Sequence, residues 1–231
     1  MVEERNPLLI TLAGVIAGFI HVITGPDHLT AVAPLSIGGG SRSWKTGLRW
    51  GLGHSGGVVV IGLFSLFLRE ILPIQLISTW SERLVGVTLI GIGIWGLRRS
   101  VQHRVHTHAH THDGSTHVHI HVHGTDAAHT LDQSPRHLHT HAAFAIGTLH
   151  GLAGGSHVIG VLPAVTLGSR WEAITYLASF GIGTLAAMAG FAFTIGIFAS
   201  RAPAGGTHAW RWLMTSSSVM AMGVGAYWLF T

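Results

Sequence analysis

The segment Gly18 to Pro34, GFIHVITGPDHLTAVAP, sets two histidines and an aspartate in a stretch otherwise apolar enough to enter a bilayer, and its spacing returns later in the chain. In the pattern G-x-x-H-x-x-x-G-x-x-H-x5-P, Gly18, His21, Gly25, His28 and Pro34 recur as Gly147, His150, Gly154, His157 and Pro163, all at an offset of 129. Gly51 and Gly53 then correspond to Gly181 and Gly183 at offset 130, and Gly91 and Gly93 to Gly223 and Gly225 at offset 132. A chain that repeats such a pattern is constrained to fold the same way twice. Its centre is expected to be a pair of His-bearing broken helices.

What those helices fold into follows from polarity. Only 10% of residues are charged and 48% are hydrophobic, against about a quarter charged in soluble domains, which points to a membrane protein. Apolar runs long enough to cross about 30 Å of hydrocarbon, which takes ~20 helical residues, fall at 8–35, 48–68, 74–97, 142–167, 171–199 and 208–230. The third is the weakest, bracketed by Arg83 and Arg98. Three spans per repeat force the second copy to enter from the opposite side. The expected fold is therefore an all-α integral membrane protein of six transmembrane helices, built as two inverted three-helix repeats with broken helices at the centre. Residues 1–100 form the first repeat, 101–140 a His-rich connection and 141–231 the second repeat.

Orientation follows from the basic residues. Arg42, Lys45, Arg49, Arg98, Arg99, Arg104, Arg136, Arg201 and Arg211 fall on one side, and Arg5, Arg69, Arg83 and Arg170 on the other. Nine against four puts the first group in the cytoplasm and both termini outside it, in a multi-pass protein of the cell inner or plasma membrane. The first run lacks a basic leader and a small-residue cleavage pattern and is not expected to be a signal peptide. The net charge of +4 does not imply nucleic acid, because the cations sit between apolar runs and line no groove.

Residues 101–141 hold 13 of the 19 histidines, largely in H-x-H alternation. With no apolar period that could bury a face, this tract is expected to be disordered without metal and to bind Ni²⁺, Co²⁺, Cu²⁺ or Zn²⁺ with modest selectivity. A spacer and a pH-responsive tract are the alternatives.

Asp27 is the acidic residue inside an apolar run, where an ionisable group costs ~3 kcal/mol or more unless paired or facing a polar cavity. His21 and His28 would stand ~10 Å apart along an unbroken helix. Between them Gly25-Pro26 is expected to break it, leaving Pro26 at the first position of a second half-helix with Asp27 at its positive end. Such a break can gather His21, Asp27 and His28 around one point. The second copy has Gly154-Gly155-Ser156 before His157 and no carboxylate at the position of Asp27. His54, in WGLGHSGG, is a further candidate, with Thr184 as its repeat counterpart; His208, beside Trp210, reads as an interfacial residue. The chain has no cysteine, so thiolate sites and disulfides are excluded. Imidazoles with one carboxylate fit Ni²⁺, Co²⁺ or Zn²⁺ rather than Cu(I), Mg²⁺ or Ca²⁺.

HVITGPDHL, the run Leu52-Gly53-His54-Ser55 and six spans around a His-rich loop resemble the nickel/cobalt transporter superfamily, closest to its UreH-like branch, and more distantly the RcnA-type efflux proteins. That resemblance covers all the membrane segments. It implies a metal-recognition motif H-x4-D-H on one helix and L-G-H-[ST] on the next; here Asp27 and His28 match the D-H, His21 the leading His and His54 the second motif. This chain has one residue more, H-x5-D-H.

The expected activity is transport of a divalent transition-metal ion, nickel or cobalt foremost, by alternating access between the repeats. His21, Asp27, His28 and His54 form the expected main site, with His150 and His157 lining the pathway from the other half. The metal is substrate and not cofactor; the partners are the ion, the lipid bilayer and an intracellular metallochaperone. Efflux, or transport of zinc or manganese, is the first alternative. A membrane sensor or storage protein is the second, opposed by the buried Asp27. An enzyme is not expected, since the spans lack H-x-x-x-H, H-x-x-H-H and H-E-x-x-H, which set ligands and a base on one helix face.

Overall fold

The structure is a computed structural model that describes residues 6–68, 74–102, 104–112, 115–123, 136–153, 163–164, 166–201 and 206–230, with the side chains of 61–68, 74–78, 102–140 and 206–207 outside the description. Helix α1, Pro7–Thr24, opens with Asn6 accepting the Leu8 N–H at 2.9 Å and Pro7 in its first turn. It stops where the sequence places Gly25-Pro26. Gly25 is extended (φ −86°, ψ 99°), its N–H donates to the His21 carbonyl at 3.1 Å, and Pro26 begins α2, Pro26–Ser36. The helix is broken between His21 and His28, as a ring that cannot donate requires.

After α2 the chain turns sharply at Gly38 (φ 96°) and Gly40 (φ 54°), left-handed values that glycine adopts without strain. The Ser43 hydroxyl donates to the Ser36 carbonyl at 2.7 Å and holds this turn. Then come α3, Trp44–Leu68, α4, Ile74–Gln102, strands β1, Arg104–His112, and β2, Ser115–His123, and helices α5, Arg136–Leu152, α6, Arg170–Arg201, and α7, Gly206–Phe230.

Among the described residues four stretches are long and apolar enough to cross a membrane: Pro7–Thr24, Thr79–Val101, Arg170–Arg201 and His208–Phe230. The expected count of six is larger. Helix α5 spans only 17 residues, and the side chains of 61–68, the apolar end of α3, lie outside the description. Helix α1 shows the apolar outer face that a membrane-crossing helix needs. Ile10, Gly14, Gly18 and Val22 are buried, while Leu9, Leu12, Ile16, Phe19, Ile20 and Ile23 are exposed. An apolar outer surface suits hydrocarbon solvent and would be costly in water.

Helix α1 packs on α6, α3 on α5 and α4 on α7, with α3 also meeting α6. Two of these seams exchange partners with each other. A Cβ on Gly18 would meet the Phe180 carbonyl and the Thr184 N–H; a Cβ on Gly147 would meet the Trp50 carbonyl and the His54 N–H. Residue for residue, these are the same contacts moved by 129 or 130 positions, with the halves swapped. Backbone approach this close leaves no room for any side chain but hydrogen.

The His-rich connection, expected to be disordered, holds an antiparallel hairpin. Its register pairs His106 with His121, His108 with His119 and His110 with His117, closing on His112 opposite Ser115. The period here is two: Val105, Ala109, Val118, Ile120 and Val122 alternate with the histidines, which is strand patterning. Helix α5 also begins at Arg136, earlier than the expected 142.

Candidate metal centre

The break at Gly25 positions the site. His21 lies in the last turn of α1 and Asp27 and His28 in the first turn of α2, where the unsatisfied N–H groups of a helix start favour a carboxylate. Gly25 has a second role here, since a Cβ on it would collide with the His28 ring. His54 comes from α3, one turn beyond Trp50, and His150 from the last turn of α5.

These elements converge on Asp27, which is 4% exposed. Asp27 Oδ1 stands 2.9 Å from His28 Nδ1, and Asp27 Oδ2 stands 2.8 Å from His150 Nε2, so one carboxylate joins the two halves of the chain. His28, His54 and His150 are each 1% exposed. The rings crowd together: His28 lies 4.7 Å from His21, 5.0 Å from His54 and 4.7 Å from His150 between centroids. Two sets of ligand atoms lie within 4.8 Å of one another, those of His21, His28 and His54 and those of Asp27, His28 and His150. First-row cations bind N and O at about 2.0–2.2 Å, which sets neighbouring ligands about 3 Å apart. The contacts to Asp27 are already close to that spacing.

A cavity of about 770 Å³ adjoins the cluster. Ala17, Ile20, His21, Thr24 and Asp27 line it from the first half, and Pro163, Tyr176, Tyr227 and Trp228 from the second. Of the cluster, His21, Asp27 and His28 line this cavity.

Five of the six expected ligands are thus brought together: His21, Asp27, His28, His54 and His150. His157 lies outside the described residues, as do Gly154, Gly155 and Ser156. His208 is exposed. Sequence reasoning missed Trp50. Its ring is fully buried, stacks on His54 at 5.1 Å and 13°, and lies 5.1 Å from His150. The spacing Trp50-x3-His54 puts both on one helix face and could have revealed it. Its counterpart Phe180 packs against His21 at 5.4 Å, so each aromatic covers a histidine of the opposite half.

Fold and centre together define a helical membrane protein with a buried His/Asp cluster. Its relatives include two Arabidopsis thaliana proteins, Chloroplast protein FOR GROWTH AND FERTILITY 1 and Chloroplast protein FOR GROWTH AND FERTILITY 2, which are 35% and 34% identical to it over 165 residues, 71% of this chain. The chain spans less than half of each, 43% and 41% of their lengths. No family model and no solved structure matches. These findings overturn the resemblance to the nickel/cobalt transporter superfamily. H-x5-D-H and LGHS are short, and imidazole beside carboxylate recurs wherever first-row cations are handled; the motifs carry chemistry and not kinship.

Proposed function

We propose that this chain carries a divalent transition-metal cation, Ni²⁺ or Co²⁺ foremost, across a membrane. The observation that carries the reading is Asp27, buried in a helix break and shared by His28 and His150, beside a cavity that both halves line. A carboxylate held among apolar helices is costly unless a charge comes to it. The donor set supports a first-row cation of intermediate softness.

Two further features support alternating access. The swapped glycine seams fit two inverted repeats related by a pseudo-twofold axis, completed by six spans once α3 and α5 are counted. The excess of basic residues supports an orientation with the His-rich connection on the more positive side of the membrane and Thr231 on the opposite side. The relatives are chloroplast proteins by name, and we assign this chain to a membrane of that kind in place of the inner or plasma membrane first expected. A potential of −100 mV is worth ~4.6 kcal/mol for a dication, on ~2.3 per charge, enough for accumulation of about a thousandfold.

The test is uptake by sealed vesicles containing the purified protein and a metal-sensitive dye, with nickel, cobalt, zinc and manganese supplied separately. Nickel or cobalt entry driven by an inside-negative potential is expected. Entry should weaken as pH falls, because imidazole and carboxylate ligands must be deprotonated to coordinate. Folded protein that moves none of the four ions would sink the reading.

A further inference from the structure

We infer that the core offers one cation two overlapping positions that share His28, and that passage between them carries the ion from ligands of the first half to a ligand of the second. The inference rests on the metal-carrier reading above. It starts from the two ligand sets, His21 with His28 and His54, and Asp27 with His28 and His150. The first belongs wholly to the first half. The second depends on His150, 123 residues beyond Asp27 in sequence.

The two positions cannot be filled together. A neutral imidazole offers one lone pair and carries its proton on the other nitrogen. His28 Nδ1 faces Asp27 at 2.9 Å, so it is Nε2 that serves the set with His21 and His54, the ring donating its Nδ1 proton to the carboxylate. In the second set Nδ1 becomes the ligand and the single proton resides on Nε2. Asp27 changes role with it, from the group that orients His28 to a ligand in its own right. Carboxylates that orient metal-bound imidazoles are a general device.

The positions also differ in access. The first set includes the half-buried His21, which lines the cavity, whereas all three residues of the second are buried. The three-imidazole set is therefore the entry position. The second set holds the only negative charge in the cluster and bridges the halves, so an ion there is bound by both.

The absence of cysteine from the whole chain supplies a test with no background. A cysteine thiolate that binds Co²⁺ produces a ligand-to-metal charge-transfer band, and the loop histidines contribute nothing to it. His54→Cys and His150→Cys, each purified and loaded with Co²⁺, are expected to show the band. In the double variant X-ray absorption is expected to count one sulfur per thiolate-bound cobalt, with band intensity per cobalt no greater than in the single variants. Two sulfurs on one cobalt would mean a single mixed site and overturn the inference. So would a band in only one of the single variants. No band in either, with both proteins folded by circular dichroism and both thiols titrating, overturns the metal centre itself. Vesicles that fail to transport while both bands form would overturn the carrier reading and leave the two positions standing.

Discussion

The two halves of the molecule share a packing scheme and differ in chemistry. The seam that Gly18 makes with Phe180 and Thr184 repeats in the seam that Gly147 makes with Trp50 and His54. Yet where the first half presents Trp50 and His54, the second presents Phe180 and Thr184, and the Thr184 hydroxyl only approaches the Gly18 carbonyl at 3.5 Å. No carboxylate in the second half corresponds to Asp27. The difference teaches that close backbone approach dictates which positions must be glycine, while the side chains turned toward the centre are left free to specialise. A duplicated scaffold here frames a lopsided site.

That contrast can be broken most directly at Asp27. Asp27→Asn keeps the size and an oxygen acceptor but removes the charge; vesicle uptake should fall by at least about a hundredfold, with elution and helicity unchanged. Near wild-type uptake would make Asp27 structural. A smaller effect is expected from making the first half like the second. His54→Thr should weaken cobalt affinity by about ten- to a hundredfold, whereas Thr184→His should neither tighten it nor rescue His54→Thr. Equal effects at the two positions would mean that the site is symmetric after all.

The seams sharpen the comparison on the side of stability. Gly18→Ala and Gly147→Ala both drive a methyl into facing backbone, and each should cost about 1–3 kcal/mol, read as a lowered melting midpoint in detergent. Gly147→Ala should in addition weaken metal binding, because the backbone it displaces carries Trp50 and His54. Equal losses of affinity in the two variants would show that the second half contributes as much as the first. The smallest effect concerns the connection. Deleting 103–135 should leave uptake at saturating metal unchanged and reduce it a few-fold at limiting metal, where a tethered store of imidazoles raises the local concentration. Complete loss with normal insertion would put the connection in the pathway.

Much of this centre was legible because ionisable residues in apolar runs carry their own explanation. Asp27 and the histidines at 21, 28, 54 and 150 stood out for that reason, and Gly25-Pro26 announced the break. What the sequence could not supply was contact across the halves: that Asp27 reaches His150 depends on how α2 meets α5, which no local pattern encodes. Trp50 was passed over because an aromatic beside lipid is usually unremarkable, although its position four residues before His54 was available. The hairpin was missed for a different reason. The H-x-H alternation was legible, and Asp113-Gly114 between the two runs is a strong hairpin signal, but a tract without a buried apolar face reads as disordered. Kinship was misread because a few ligand residues weighed more than the rest of the chain.

The pairing of α4 with α7 has a mechanical consequence. Gly86 and Gly225 bring these two helices together, and Val224, Tyr227 and Trp228 of α7 form one wall of the cavity, facing Ala17, Ile20 and His21 of α1. None of the five gathered ligands sits on α4 or α7. On the carrier reading proposed above, this pair is a cavity wall that holds none of the cargo's ligands. On that reading, changes along the α4–α7 pair would alter the rate of transport while leaving metal affinity unchanged.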